Sequence, residues 1–216
     1  MPQRIVSELQ ALASETRRKH PEVRQAADAA LRELQRDPDA ALAASRAQAD
    51  AAPEGGVLLQ PVLLACATKT PKVVLLAVAL LHRCVLLHAV PDSALPRVVE
   101  ALQSLTASPS RTDIDAQLRI LQTVSALITG YTGITAQLLS STLMVCFALY
   151  EHSRVAVVSS TAAATLRQSI MVVFDKVNDE DHALESIQGG GEAAALTAPL
   201  PVHTAKTPDG HVTLFP

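Results

Sequence analysis

The chain of 216 residues has no tryptophan, three phenylalanines and two tyrosines, so aromatic side chains make up only 2% of it. That scarcity removes the stacking platforms on which nucleic acids are read, and a net charge of −3 supplies no basic stripe to hold a phosphate backbone. Nucleic acid is therefore excluded as a partner. Cys66, Cys84 and Cys146 are odd in number, widely spaced and set in apolar runs, with no CxxC pair. They read as small buried hydrophobes in a reducing compartment. The N-terminus carries no apolar signal-like block, and the longest apolar run, nine residues from Val73 to Leu81, falls short of the roughly twenty that a membrane span needs. The expectation is a cytoplasmic chain.

Chemistry-bearing patterns are also missing. His82 and His88 are six residues apart, off the i, i+4 spacing that puts two metal ligands on one helix face, and no acidic or cysteine ligand shares their register. The run Gly189-Gly190-Gly191 follows no strand and has no partner Lys, Ser or Thr, so it is not a phosphate loop. No strained elbow presents a Ser or Cys nucleophile to a base. The sequence thus predicts no enzyme activity, no cofactor, no metal and no small-molecule substrate.

What is present is a hydrophobic content of 49%, carried by Leu, Val and Ala and arranged in helical blocks that recur about every forty residues. One block starts at Pro61-Val62-Leu63-Leu64, breaks at Lys69-Thr70-Pro71 and resumes at Val73. A second starts at Leu95, breaks at Ser108-Pro109-Ser110 and resumes at Gln117; a third starts at Gln137, breaks at Glu151-His152-Ser153 and runs on from Val155 to Phe174. Helix pairs of this kind cannot bury their apolar faces alone and must stack on their neighbours. The predicted fold is all-α, an armadillo/HEAT-like right-handed solenoid of antiparallel helix pairs. Its helices are expected at 57–68 with 70–87, 92–106 with 113–129, and 133–149 with 154–177, after two amphipathic helices in residues 3–36. Val73 to Leu81 is apolar all round and should be central. Gly130 is placed to close a helix in the left-handed conformation.

Residues 1–177 hold seventeen basic and fifteen acidic side chains, whereas 178–216 hold six acidic residues and Lys206. The second segment also carries Gly189 to Gly191, Pro199, Pro201 and Pro208, and reads as an acidic, Gly/Pro-rich linker leading towards a following domain. Two clusters suit partner contacts. Arg17-Arg18-Lys19, next to His20, either complements a helix C-terminus or forms a patch for an anionic membrane or acidic partner. In Thr161-Ala162-Ala163-Ala164-Thr165-Leu166-Arg167-Gln168, helical spacing turns Ala162, Thr165 and Leu166 to the core with Ser169, Val173 and Val177. It leaves Arg167, Gln168, Ala164 and Thr161 as candidates for a protein contact.

Four stretches, Leu9 to Val23, Leu63 to Lys72, Ala89 to Pro96, and Thr161 to Gln168 continuing to Val173-Phe174-Asp175-Lys176-Val177, carry a family likeness. Over about residues 3–177 the sequence resembles the N-terminal dimerization and cyclophilin-binding (DCB) domain of Mon-two-like Golgi scaffold proteins, relatives of the BIG and GBF large Arf exchange factors. The resemblance implies an armadillo-like domain that self-associates and contacts a following HUS domain. It also implies peripheral attachment to trans-Golgi network and endosome membranes, a role in vesicle-mediated protein transport, and partners that include a large Dopey-type protein and an Arf-like GTPase. Two rival readings remain open from sequence: an armadillo adaptor gripping a cargo peptide, and the regulatory domain of an active Arf exchange factor. A single Asn and two Tyr argue against the first.

Overall fold

Proline and short polar side chains set where the helices begin. The computed structural model describes residues 2–47, 56–107, 113–196, 205–206 and 212–213. Among these, α1 spans Pro2–Glu15, α2 Pro21–Arg36, α3 Pro38–Ala47, α4 Gly56–Ala67, α5 Pro71–Leu86, α6 Leu95–Thr106, α7 Ile114–Gly130, α8 Ala136–His152 and α9 Ala156–Leu196. Pro stands in the first turn of α2, α5 and α6, where its missing N–H costs no helical bond. Side chains cap two later helices: the Asp113 carboxylate accepts from the Asp115 N–H at 3.0 Å, and the Thr135 hydroxyl from the Leu138 N–H at 3.3 Å.

The chain divides into two compact units, Met1–Val173 and Phe174–Pro216. In the first, α5 is the hub. Val73, Val74, Ala77, Val78, Leu80, Leu81, Cys84 and Val85 are all buried, and α5 packs on α1, α4 and α7. Around it run two courses of neighbouring helices, α1, α5 and α7 in one and α2, α4, α6 and α8 in the other. The sequence-consecutive pairs α1/α2, α4/α5 and α7/α8 bridge the courses. This is the all-α, stacked-pair organisation that the periodicity predicts. Each fully buried Leu, such as Leu80 or Leu102, contributes about 1.5–3 kcal/mol. Some buried hydroxyls are satisfied by the carbonyl one turn earlier: Thr16 donates to the Leu12 carbonyl at 2.7 Å, and Thr142 to that of Leu138 at 2.7 Å.

Several local expectations are corrected. Gly130 does not close α7 in the left-handed conformation; it is the last helical residue, and Tyr131 after it is extended. Among the described residues the non-glycine left-handed positions are Lys69 (φ 53°) and His88 (φ 50°), just after α4 and α5, and Gly56 at the start of α4 also has a positive φ of 75°. The Ala-rich stretch after Pro38 forms α3. The third pair starts later than expected, with α8 at Ala136. The ninth helix does not stop at 177 but continues to Leu196, through the segment expected to be linker. Leu, Glu and Ala on both sides of the three glycines are strong helix formers, and extending an existing helix needs no new nucleus. Ala205–Lys206 and Val212–Thr213 form a short antiparallel pair in the second unit. The expected turns at Pro53-Glu54-Gly55 and Ser108–Thr112, and the rest of the segment after 196, lie outside the described residues.

Among the described residues, every side chain in the hydrophobic core or packed against it lies at or before Val173. A chain ending at Val177 is therefore expected to melt within about 2 °C of the full chain, under about 1 kcal/mol for a protein this size. Thermal unfolding followed by circular dichroism checks this, and a loss of ten degrees would contradict it.

Candidate functional site

α9 enters the helical unit with two different sides. Val158 and Ala162 are completely buried, and Thr165, Leu166 and Ser169 nearly so, as the sequence predicts for its core-facing arc. Val173 is half-buried; Val177 is 49% exposed and falls in the second unit. On the opposite arc Val157, Ser160, Ala164, Arg167 and Met171 recur at helical spacing and are all exposed, Val157 at 60% and Met171 at 67%. Arg167 thus sits on a stripe of small and apolar side chains, one turn from Ala164 and one from Met171. Among the described residues it has no ion-pair partner.

The four residues singled out from sequence do not act as one group. Thr161 and Gln168 face a groove of about 510 Å³ that also takes in Thr165 of α9, Leu121 to Gly130 of α7, and His82 to His88 at the end of α5. Ala164 and Arg167 stand on the exposed stripe instead. Sequence reasoning missed the groove because three helices far apart in the chain build it. One signal was available: Gln122, Ser125, Ala126 and Thr129 form a short-side-chain stripe on α7. A β-carbon at Gly130 would stand 3.2 Å from the His88 ring, so a larger residue there would push that ring by a few tenths of an ångström. The same ring is tilted against Tyr131 with centroids 5.2 Å apart. Arg46 of α3 fixes this corner by donating to the carbonyls of His88 (3.0 Å) and Leu87 (2.8 Å), the unsatisfied end of α5.

Electrostatics inside the unit keep titratable groups inert. Burial, then the charges of Arg119 and Arg83, push the His82 pKa down, so its ring is neutral at pH 7, and its Nδ1 is buried without a partner. Burial pushes the thiols of Cys66, Cys84 and Cys146 up to about 12, far from the range of a nucleophile. Arg83 donates to Glu8 Oε1 across α1 and α5 at 3.3 Å, while Glu8 Oε2 is buried without a partner. Among the described residues no three His, Cys, Asp or Glu side chains converge where a metal ion could sit.

A third feature lies where the α1–α2 and α4–α5 turns meet. α1 ends at Glu15, so Arg17, Arg18 and Lys19 follow the helix instead of filling its last turn. His20 Nε2 approaches the Thr70 hydroxyl at 3.3 Å, and Lys72 pairs with Glu15 at 2.6 Å. The three exposed cations, with Glu15, His20 and Thr70, line a groove of about 490 Å³. Residues 156–179 of α9 are long and apolar enough to cross a membrane by length and composition; Val158, Ala162 and Leu166 among them are buried in the core, whereas Val157, Ile170, Met171, Phe174 and Val177 are exposed.

The family model described as the Mon2/Sec7/BIG1-like dimerisation and cyclophilin-binding domain matches residues 1–181. The chain is 30% identical over 177 residues to the human protein MON2 homolog, an alignment covering 81% of this chain and 10% of that protein. It is 28% identical over 200 residues to the Xenopus laevis MON2 homolog, covering 91% of this chain and 10% of the relative. With protein MON2 of Saccharomyces cerevisiae it shares 27% identity over 191 residues, covering 83% of this chain and 10% of the relative. The chain spans about a tenth of the length of these curated relatives.

The Glu8–Arg83 pair has an asymmetric worth. Arg83→Met is expected to destabilise by about 2 kcal/mol, because it strands a carboxylate that is largely out of water. Glu8→Gln, which keeps an acceptor of the same shape and leaves Arg83 free to turn to solvent, should cost under about 1 kcal/mol. Urea unfolding of both variants separates the two values; equal losses would show that the pair is ordinary surface.

Proposed function

The chain belongs to the Mon2/Sec7/BIG1-like family of dimerisation and cyclophilin-binding domains, and from that we propose that it is a non-enzymatic regulatory scaffold domain, binding protein partners and a second copy of itself in vesicle-mediated protein transport. The whole protein would sit peripherally on trans-Golgi network and endosome membranes. A HUS-type domain following this one, a Dopey-type protein and an Arf-like GTPase would be its contacts. These attributions rest on the family likeness. The observation that carries the reading is the exposed stripe on α9, where Arg167 rises between Ala164 and Met171. Small residues let a partner backbone come close, and the guanidinium can then give two hydrogen bonds to one carboxylate. The Arg17, Arg18 and Lys19 cluster offers a second contact, to an acidic partner or to anionic lipid.

Arg167→Glu tests the stripe. The helical circular dichroism and melting temperature should stay nearly unchanged, since an exposed charge swap moves stability by under about 0.5 kcal/mol. Self-association, or binding of the HUS-type segment, should weaken at least tenfold, about 1.4 kcal/mol, in sedimentation or calorimetry. Unchanged association would make Arg167 ordinary surface.

A further inference from the structure

The outer side of α7 is recessed between α5 and α9, because Ser125, Ala126 and Gly130 put little bulk above its backbone. The walls of the resulting trough are His82 and Leu86 on one side and Thr161, Thr165 and Gln168 on the other. Leu86 stands on its wall 51% exposed, a large apolar side chain with an open side. Gln122, Ser125, Ala126 and Thr129 follow the i, i+3, i+4, i+7 pattern, so the trough runs along α7 for two turns, about 10 Å. An open channel of that length, floored by short side chains and edged by an exposed leucine, matches the ridge of another helix more than a small molecule, which needs enclosure.

Charge narrows the occupant. None of the residues lining the trough is acidic. Arg119, one turn before Gln122 on α7, donates to Gln122 Oε1 at 3.0 Å and has no ion-pair partner among the described residues. His82 beside it has a buried ring nitrogen with no hydrogen-bond partner. A carboxylate arriving at this end would meet a guanidinium held only by a neutral amide, with no acidic residue in the trough lining to repel it. We propose that the trough over α7 receives an amphipathic helix from a protein partner, its apolar stripe on Ser125, Ala126 and Leu86 and an acidic residue beside Arg119. This contact is separate from the α9 stripe, whose Arg167 lies on another arc of its helix, so either can fail without the other.

The test is selection from a phage-displayed library of short helical peptides on the full 216-residue chain. The counter-screen is the double variant Gln122→Trp, Thr129→Trp; both positions are exposed, so the bulk fills the trough and not the core. Enriched peptides are expected to be acidic and to bind the wild-type chain at least tenfold more tightly than the filled variant. Arg119→Glu should weaken them further, and their addition to the ¹⁵N-labelled wild-type chain should shift the amide signals of Ser125, Thr161 and Gln168. That mapping stands even if the filled variant does not fold. Peptides that are basic, that bind the filled variant equally, or that shift signals elsewhere overturn the proposal, as does a selection that enriches none. So does a change in the variant's own sedimentation, which would assign the trough to a second copy. Loss by the variant of binding to phosphatidylserine vesicles would assign it to lipid and contradict the proposal equally.

Discussion

Covering α5 is the constraint on which the helical unit depends. A 16-residue helix with Val, Leu and Ala on every side cannot face water on any of them without losing about 25 cal/mol for each Å² left uncovered. α1, α4 and α7 therefore close around it, and each brings its own partner helix, which is how the two courses arise. The few polar groups on α5 are tied to this enclosure. Arg83 reaches Glu8 of α1, and the last carbonyls, left without helical donors, are met by Arg46 of α3. Ser45 of α3 donates to the Ala89 carbonyl at 2.6 Å, so the end of α5 also fixes a helix outside the two courses.

The same enclosure decides what kind of work the unit can do. Burial moves the pKa values of Cys66, Cys84 and Cys146 upward and that of His82 downward, away from a neutral working range. Catalytic sites shift pKa values too, but they bring several titratable groups together at an opening, and here the thiols sit apart in separate helices. What faces outward is helix surface: the α9 stripe, the small-residue side of α7 and the cations at the paired turns. We read these as candidate recognition features, differing in charge and depth, each formed by helices or by the turns between them.

Much of this was legible in the chain because helical periodicity is a local signal. The apolar run Val73–Leu81 marked the hub, Asp113 marked the start of α7, and the arc of Ala162, Thr165 and Leu166 marked the buried side of α9. The family likeness, carried by four short stretches, was legible for the same reason: packed helices repeat their residues in order. The misses were where tertiary space overrode local preference. Gly130 looked like a left-handed terminator, yet it answers to the His88 ring from another helix, while Lys69 and His88 adopted the left-handed conformation themselves. The triple glycine after 188 suggested a break, but the helix formers around it carried α9 through. The trough over α7 was legible only in its floor, the Gln122, Ser125, Ala126 and Thr129 stripe, because its walls come from α5 and α9, about forty residues away on either side.

We propose that this domain works by presenting surfaces. The resemblance of its sequence to relatives of Arf exchange factors makes nucleotide release the test of that reading. Release of labelled GDP from a myristoyl-free Arf-type GTPase is expected to proceed at the spontaneous rate when the chain is added at micromolar concentration. A tenfold acceleration would overturn the proposal.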